Sequence, residues 1–259
     1  LLQAKIAVIG GTGLEELLEN GVETRVGTPF GPSPTIIVGK IEDRIVAFLP
    51  RHGMKHEVPP HRVNYRANVW SLKELGVERI IATNAVGAIN KRFKPGDFVI
   101  PHDLVDFTKA RAQTYYDEAP VTHIDVTEPY CPELRSILIK SSRGSAGRTW
   151  TKAVLACTEG PRYETPAEIK MLKIVGCDIV GMTGFPEAFL ARELEICYAT
   201  ICFVSNMAAG IQRRLTAEEV IQIGKKVLPT LRLTIKNAVR DLPSERRCAC
   251  SRALEKARI

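Results

Sequence analysis

Short apolar runs that end in small or polar loops, with helical segments between them, set the strongest limit on what this chain can fold into. Residues 5–9, 44–49, 77–83, 178–181 and 197–204 are too short for helices and are rich in Ile, Val and Ala, so they read as strands. Residues 68–75, 134–142, 167–175, 188–194 and 220–239 read as helices. Gly76 and Gly176 stop two of them, and Pro229 predicts a kink in the last. Residues 14–20 complete the pattern as a short helix after the first strand. Strands alternating with helices argue for an α/β sheet. Ligands of such sheets sit at the carboxyl ends of the strands, so the loops after these runs carry the functional argument.

Each of those loops offers a usable group. After the first strand comes Gly10-Gly11-Thr12-Gly13, and backbone amides in such a turn can hold an anion, with Thr12 as hydroxyl donor. A dinucleotide fingerprint from Gly11 would need glycine where Glu16 stands, and no Walker lysine follows. Arg51 and His52 follow the strand 44–49 and suit an oxyanion. Asn84-Ala85-Val86-Gly87-Ala88 reads as a small-residue turn whose backbone can approach a ligand. Met182-Thr183 and Ser205-Asn206 close two further strands. Residues 157–168 form a loop with two prolines. Its Tyr163 offers a flat ring and Glu164 two acceptor oxygens, enough to stack on and hydrogen-bond a planar ring bearing an N–H. An ordinary surface loop is the competing reading, and capping or turn roles suit His56 and His61. The irregular stretch 110–133, with Tyr115, Tyr116 and His123, is long enough to be functional or mobile.

Charge and cysteine content narrow the ligand. The chain carries 36 Lys+Arg against 29 Asp+Glu, a net charge of +7, yet has no basic run with interleaved aromatics. That disfavours nucleic acid and favours a small anion such as phosphate. No run of 18 apolar residues predicts a membrane span. The start, LLQAKIAVIGG, reads as a first strand rather than a signal peptide, so the expectation is a cytoplasmic protein. Of the seven cysteines, Cys248 and Cys250 form a lone C-x-C, which is not zinc-ligand spacing, and no metal is expected. Cys131, Cys197, Cys202, Cys248 and Cys250 would pair as disulfides in a hyperthermophile and stay buried thiols otherwise.

Taken together and in order, IGGTG at 9–13, PRHG at 50–53, NYRAN at 64–68, NAVGA at 84–88, PGD at 95–97, EGPRYET at 159–165 and GMTGFPEAFLARE at 181–193 give the chain a resemblance to the trimeric-type purine nucleoside phosphorylases. It is most similar to their methylthioadenosine phosphorylase branch. The resemblance covers nearly the whole chain. It implies one nucleoside phosphorylase domain over residues 1–259, with a central mixed β-sheet flanked by helices. It implies phosphorolysis, with orthophosphate as co-substrate attacking C1′ of a purine nucleoside and no metal or organic cofactor. It also implies a homotrimer or a dimer of trimers. By this resemblance Thr12, Arg51, His52, Asn84, Ala85 and Thr183 hold phosphate, Met182 packs on the ribose, and Tyr163 stacks near the base. Met207 lines the nucleoside pocket beside Asn206, and His123 reaches a neighbouring subunit's ribose 5′ end.

Departures from that branch point to a different base. The branch resembles a pattern with Ser after the aromatic residue and an Asp pair at the later segment; here stand Glu164, Asn206 and Ala208. This is similar to the inosine/guanosine enzymes. A 6-oxopurine carries N1–H, which the Glu164 carboxylate accepts, whereas adenine N1 is a bare acceptor. The mismatch costs roughly 1–3 kcal/mol, or about 10- to 150-fold. Asn206 can face a protonated N7 and O6 together, so Glu164 and Asn206 are the expected catalytic pair. Ala217 replaces a His that serves the ribose 5′-OH, and with Val220 and Ile221 it makes the 5′ pocket small and apolar. The expected substrates are inosine and guanosine, with 5′-methylthioinosine admitted by that pocket. The alternatives are a methylthioadenosine phosphorylase and a nucleoside- or phosphate-binding protein without catalysis.

Overall fold

The computed structural model describes residues 3–11, 13–143 and 148–258. Thr12 therefore lies outside the described residues. The strands are β1 (Ile6–Gly10), β2 (Glu19–Thr24), β3 (Gly27–Thr28), β4 (Gly31–Pro32), β5 (Ile36–Ile41), β6 (Arg44–Pro50), β7 (Arg79–Ala88), β8 (Phe98–Val99), β9 (Asp103–Phe107), β10 (Thr149–Trp150), β11 (Val154–Thr158), β12 (Ile179–Gly181) and β13 (Cys197–Met207). The helices are α1 (Tyr65–Glu74), α2 (Pro132–Arg143), α3 (Pro166–Ile174), α4 (Glu187–Glu193) and α5 (Ala217–Asp241). Apart from the small hairpin β3–β4, the strands form one mixed sheet in the order β10-β8-β13-β7-β1-β6-β5-β2, with β12, β11 and β9 branching from β7. This is an α/β fold with a mixed central sheet flanked by helices.

Its central strands are buried on both faces, which is why they read as continuous apolar runs. The side-chain period of two sorts them. Ala7 and Ile9 join a cluster with Leu72 of α1 and Leu190 of α4. Ile6 and Val8 join the opposite cluster, with Leu134 of α2 and Leu231 of α5. A third cluster beneath α3 holds Ala156, Ile169, Leu172, Val180 and Ala208. The starts of α1, α3 and α5 are capped by side chains. Asn64 accepts from Ala67 N, Thr165 and Glu168 close a capping box, and Thr216 accepts from Glu219 N.

Three local expectations change. Residues 14–20 form only a 3₁₀ turn, Glu15–Leu17, before edge strand β2 begins. Asn20, at φ 52°, sits in a register shift between Glu19 and Val22, so the Asn20-Gly21 pair bends a strand rather than extending a helix. The NAVGA segment is strand, not turn, because β13 and β12 hydrogen-bond it along opposite edges through Gly87 and Ala88. Ser205-Asn206 likewise lies inside β13. Helix α5 runs as one 25-residue element with Pro229 inside it.

Among the described residues no helix is long and apolar enough to cross a membrane. All seven cysteines are free thiols. Cys202 stands apart, its Sγ 3.9 Å from Asn84 Nδ2, while Cys131, Cys197, Cys248 and Cys250 gather at one point, with all four Sγ atoms within 4.8 Å of one another. Their spacing in the chain hid that grouping.

Candidate active site

Strands β1 and β6 end level with each other, Gly10 pairing with Pro50. Arg51 follows at once, its N–H donating to Gly10 O. Its side chain turns inward and is 4% exposed. Nε and Nη2 donate to Glu187 Oε1 and Oε2 at 2.6 and 2.9 Å, and Nη1 donates to Thr83 O at 2.8 Å. Glu187 opens α4, is fully buried, and also accepts from the Tyr198 hydroxyl at 2.8 Å. Burial opposes charge on both partners, but their bidentate pairing outweighs it. The Arg51 pKa is raised, and the Glu187 carboxyl is held below the usual carboxylate range. A guanidinium has five N–H bonds. The bonds to Glu187 and Thr83 use three, and two remain to meet an anion.

His52 stands next to this pair. Its Nδ1 lies 2.8 Å from Val58 O, and its ring packs 4.6 Å from that of His56. A carbonyl can only accept, so Nδ1 carries the proton. Burial, then the Arg51 charge, pushes the imidazole pKa down to about 4, so at neutral pH Nε2 is a bare acceptor. Such a nitrogen suits a protonated phosphate oxygen. A cleft of about 500 Å³ opens beside Arg51, with Arg25, Lys55 and Arg62 against Glu57 in its walls. That balance favours an anion.

Because β12 runs antiparallel to β7, the chain leaving Gly181 returns onto the middle of β7. Thr183 Oγ1 there donates to Asn84 Oδ1 at 2.7 Å, and Asn84 Nδ2 donates to Thr200 Oγ1 at 2.8 Å. Asn84 and Ala85 project to opposite faces. Ala85 is exposed within an otherwise buried strand, which marks an opening in the packing on its side.

On that side stands Asn206. Ser205 is the extra residue of a bulge, since Val204 pairs with Val86 and Asn206 with Gly87. A bulge re-aims the side chain that follows. Asn206 lies over Gly87, where a Cβ would stand 3.3 Å from Nδ2. Its Nδ2 donates to Met207 O at 3.0 Å, which fixes the amide orientation, and its Oδ1 accepts from Ser205 Oγ at 2.6 Å. One N–H and one lone pair of the amide are left over. Met207 N donates to Gln212 Oε1, and Gln212 Nε2 donates to Glu219 Oε2 at 2.6 Å. Gln212 thereby ties the strand end to the start of α5.

The Tyr163–Glu164 loop follows β11 and precedes α3. Glu164 Oε1 accepts from Thr158 Oγ1 at 2.6 Å. Tyr163 is 37% exposed, and its pKa is raised by burial, then by Glu219 and Glu164. Gly160, at φ +66°, packs on Met182: a Cβ there would stand 2.6 Å from its Sδ. Ala208 is buried in the cluster beneath α3. Ala217 is exposed and Val220 half-buried at the start of α5. His123 is exposed, its backbone N–H on Ala257 O in a segment that pairs with the chain's last stretch.

Three residues that sequence reasoning passed over hold these parts together. Glu187 and Tyr198 brace Arg51. Arg111 sits in the irregular 110–133 stretch yet is buried. Its Nη2 donates to Thr158, Glu159 and Met182 carbonyls at 3.1, 2.9 and 2.8 Å, Nη1 to Phe185 O at 2.6 Å, and Nε to Glu159 Oε1 at 3.0 Å. It therefore fastens the Tyr163 loop to the Met182 turn. A carboxylate amid Phe185, Ala188, Phe189 and Leu190 is the signal that could have found Glu187. Arg111, one charge in a polar stretch, has no such mark.

Known proteins resemble this chain in sequence and in fold. A family model described as the phosphorylase superfamily matches residues 5–240. A probable S-methyl-5′-thioinosine phosphorylase of Methanothermobacter thermautotrophicus is 53% identical over 98% of this chain and 90% of its own. A 6-oxopurine nucleoside phosphorylase of Pyrococcus furiosus is 50% identical over 98% of each. The crystal structure of a methylthioadenosine phosphorylase from an antarctic soil metagenomic library superposes with a TM-score of 0.95 at 36% identity, covering 100% of this chain and 93% of that one. A match over nearly the whole chain, with the same fold, means that this protein belongs to the phosphorylase superfamily.

Proposed function

We propose that the protein is a purine nucleoside phosphorylase acting on 6-oxopurine nucleosides: inosine, guanosine and 5′-methylthioinosine. The observation that carries the base assignment is the pair Glu164 and Asn206. Glu164 keeps one carboxylate oxygen beyond its bond to Thr158, an acceptor for N1–H. Asn206 keeps one N–H and one lone pair beyond its bonds to Met207 and Ser205, which match O6 and a protonated N7. The relatives named for 6-oxopurine and methylthioinosine substrates support the same reading.

In the reaction, a phosphate oxygen forms the bond to C1′ while the C1′–N9 bond breaks and its electron pair stays on the purine. That purine takes up a proton at N7 from solvent, and Asn206 Oδ1 accepts a hydrogen bond from it. Arg51, His52, Thr183 and the backbone of Asn84 and Ala85, with Thr12, hold the phosphate. The sugar's oxocarbenium-like charge then forms beside a fixed anion, so the work is positional and electrostatic. Met182, Met207 and Tyr163 enclose ribose and base. Ala217 and Val220 leave the 5′ end apolar, which suits a methylthio group, and His123 contributes from a neighbouring subunit of a homotrimer or dimer of trimers. The reaction takes no metal or organic cofactor, and the setting is cytoplasmic.

The test is a phosphate-dependent ultraviolet assay on inosine, 5′-methylthioinosine and 5′-methylthioadenosine. Hypoxanthine release should exceed adenine release, and Glu164→Gln should lower kcat/KM for inosine about 10- to 150-fold. Adenine released as fast as hypoxanthine, or an unaltered Glu164→Gln enzyme, would overturn the assignment.

A further inference from the structure

At the opposite end of β13 from Asn206, four cysteines from three parts of the chain converge. Cys197 begins β13, Cys131 precedes α2, and Cys248 and Cys250 flank Ala249 at the 3₁₀ turn Ala249–Arg252. Their four Sγ atoms lie within 4.8 Å of one another, and Cys131, Cys197 and Cys250 are buried. The Cys197 and Cys248 sulfurs are 3.3 Å apart, well beyond a disulfide bond of about 2.05 Å. A tetrahedron of sulfurs about 2.3 Å from a central zinc has edges of about 3.8 Å. That edge falls between the 3.3 Å pair and the 4.8 Å limit.

We propose that Cys131, Cys197, Cys248 and Cys250 form a structural tetrathiolate site for a thiophilic divalent metal, with zinc as its occupant. Four sulfur donors with no carboxylate among them favour zinc over magnesium or calcium, and four protein ligands make the site closed rather than catalytic. Groups around the sulfurs suit thiolates. The backbone N–H of Leu134 donates to Cys131 Sγ at 3.5 Å, and Arg192 Nη1 donates to Cys250 Sγ at 3.6 Å. Such donors orient and stabilise metal-bound thiolates.

A second observation concerns charge. Four thiolates on a divalent ion leave two negative charges to be offset. Arg79 pairs in register with Cys197 on the neighbouring strand, so the two side chains share a face. Arg79 is 3% exposed, and its Nε and Nη2 have no hydrogen-bond partner among the described residues; Nη2 has only Glu133 Oε1 at 3.7 Å. Beside Arg192, which touches Cys250 Sγ, it adds a second, buried positive charge on the face that carries Cys197. The metal would clamp the 248–252 turn to the starts of α2 and β13. The site is about 33 Å from Met207 along the strand, so it acts on stability and not on the reacting atoms.

The test uses the full chain, purified with its thiols reduced and offered Zn²⁺, and in parallel Co²⁺. One metal per chain by elemental analysis is expected, with the visible bands of tetrahedral cobalt and thiolate-to-cobalt charge transfer. Both should vanish in Cys248→Ser/Cys250→Ser, and stripping zinc from the wild type should lower its melting temperature. Reading cobalt on the wild type keeps the test independent of whether the variant folds. No stoichiometric metal in the wild type would overturn the proposal. So would an unreduced chain whose mass is lighter by the hydrogens of disulfides joining these four sulfurs.

Discussion

The side of the candidate site proposed to hold phosphate and the side proposed to hold the base differ in how much of their polar chemistry is already committed. On the phosphate side, Arg51, Glu187, Tyr198, Asn84, Thr183 and Thr200 are all buried and bonded to one another or to backbone. On the base side, Tyr163 and Glu164 sit on a loop, partly exposed, with the Glu164 carboxylate held by the Thr158 hydroxyl alone among the described residues. The contrast fits the ligands. Orthophosphate is the same for every substrate and rewards a rigid cradle. The nucleoside varies and must enter and leave, which a loop permits. Changes on the phosphate side should therefore cost stability first. Changes on the base side should cost selectivity and positioning first.

The largest effect expected is Glu187→Ala. It leaves the Arg51 charge buried without its carboxylate, a loss of about 3–5 kcal/mol. Denaturant unfolding measures it, and the phosphate KM should rise more than the nucleoside KM. A loss under about 1 kcal/mol would mean that the pair is not part of the structural frame, and the contrast between the two sides would collapse.

Next comes the pH dependence of His52. Its pKa falls from 6.5 to about 4 on folding, through burial and then the Arg51 charge. Between those values the unfolded chain binds a proton that the folded chain does not. Stability is therefore full above pH 6.5, falls as the pH drops through the window, and levels below about 4. The total is about 3 kcal/mol. Unfolding free energies of wild type and His52→Gln across this range isolate the group, because the variant should lack this part of the slope. Parallel curves would show that His52 is not held neutral by the fold.

What the sequence reveals of this structure follows the reach of each interaction. Arg51 and His52 stood out because two donors directly follow an apolar strand. The alternation of strands and helices gave the α/β class for the same local reason. Glu187 did not stand out as the partner of Arg51, because it lies 136 residues away. Asn84 reads locally as part of a turn, since small residues permit one, but pairing along both edges of β7 keeps the segment in a strand. The bulge at Ser205 is set by register, which no single segment encodes. The four cysteines met only through the tertiary fold, since Cys197 and Cys248 are 51 residues apart.

Arg111→Lys probes the bridge between the two sides. Arg111 reaches the Thr158 and Glu159 carbonyls on the base loop and the Met182 and Phe185 carbonyls on the turn that carries Thr183. A lysine keeps the charge, but its point-like ammonium cannot span that fork. Several charge-assisted bonds are lost while water recovers some of them, so stability should fall by about 1–3 kcal/mol. The base loop would then sit loosely over the substrate, and a displacement of about 1 Å is enough to lower kcat/KM for inosine by up to about 100-fold. The phosphate KM should stay within about twofold, because Arg51 keeps Glu187 and Thr83. Steady-state kinetics with each substrate varied in turn separates these outcomes. If the phosphate KM rises in step with the loss on inosine, Arg111 holds both sides as one unit, and the division between a rigid cradle and a movable base loop is wrong.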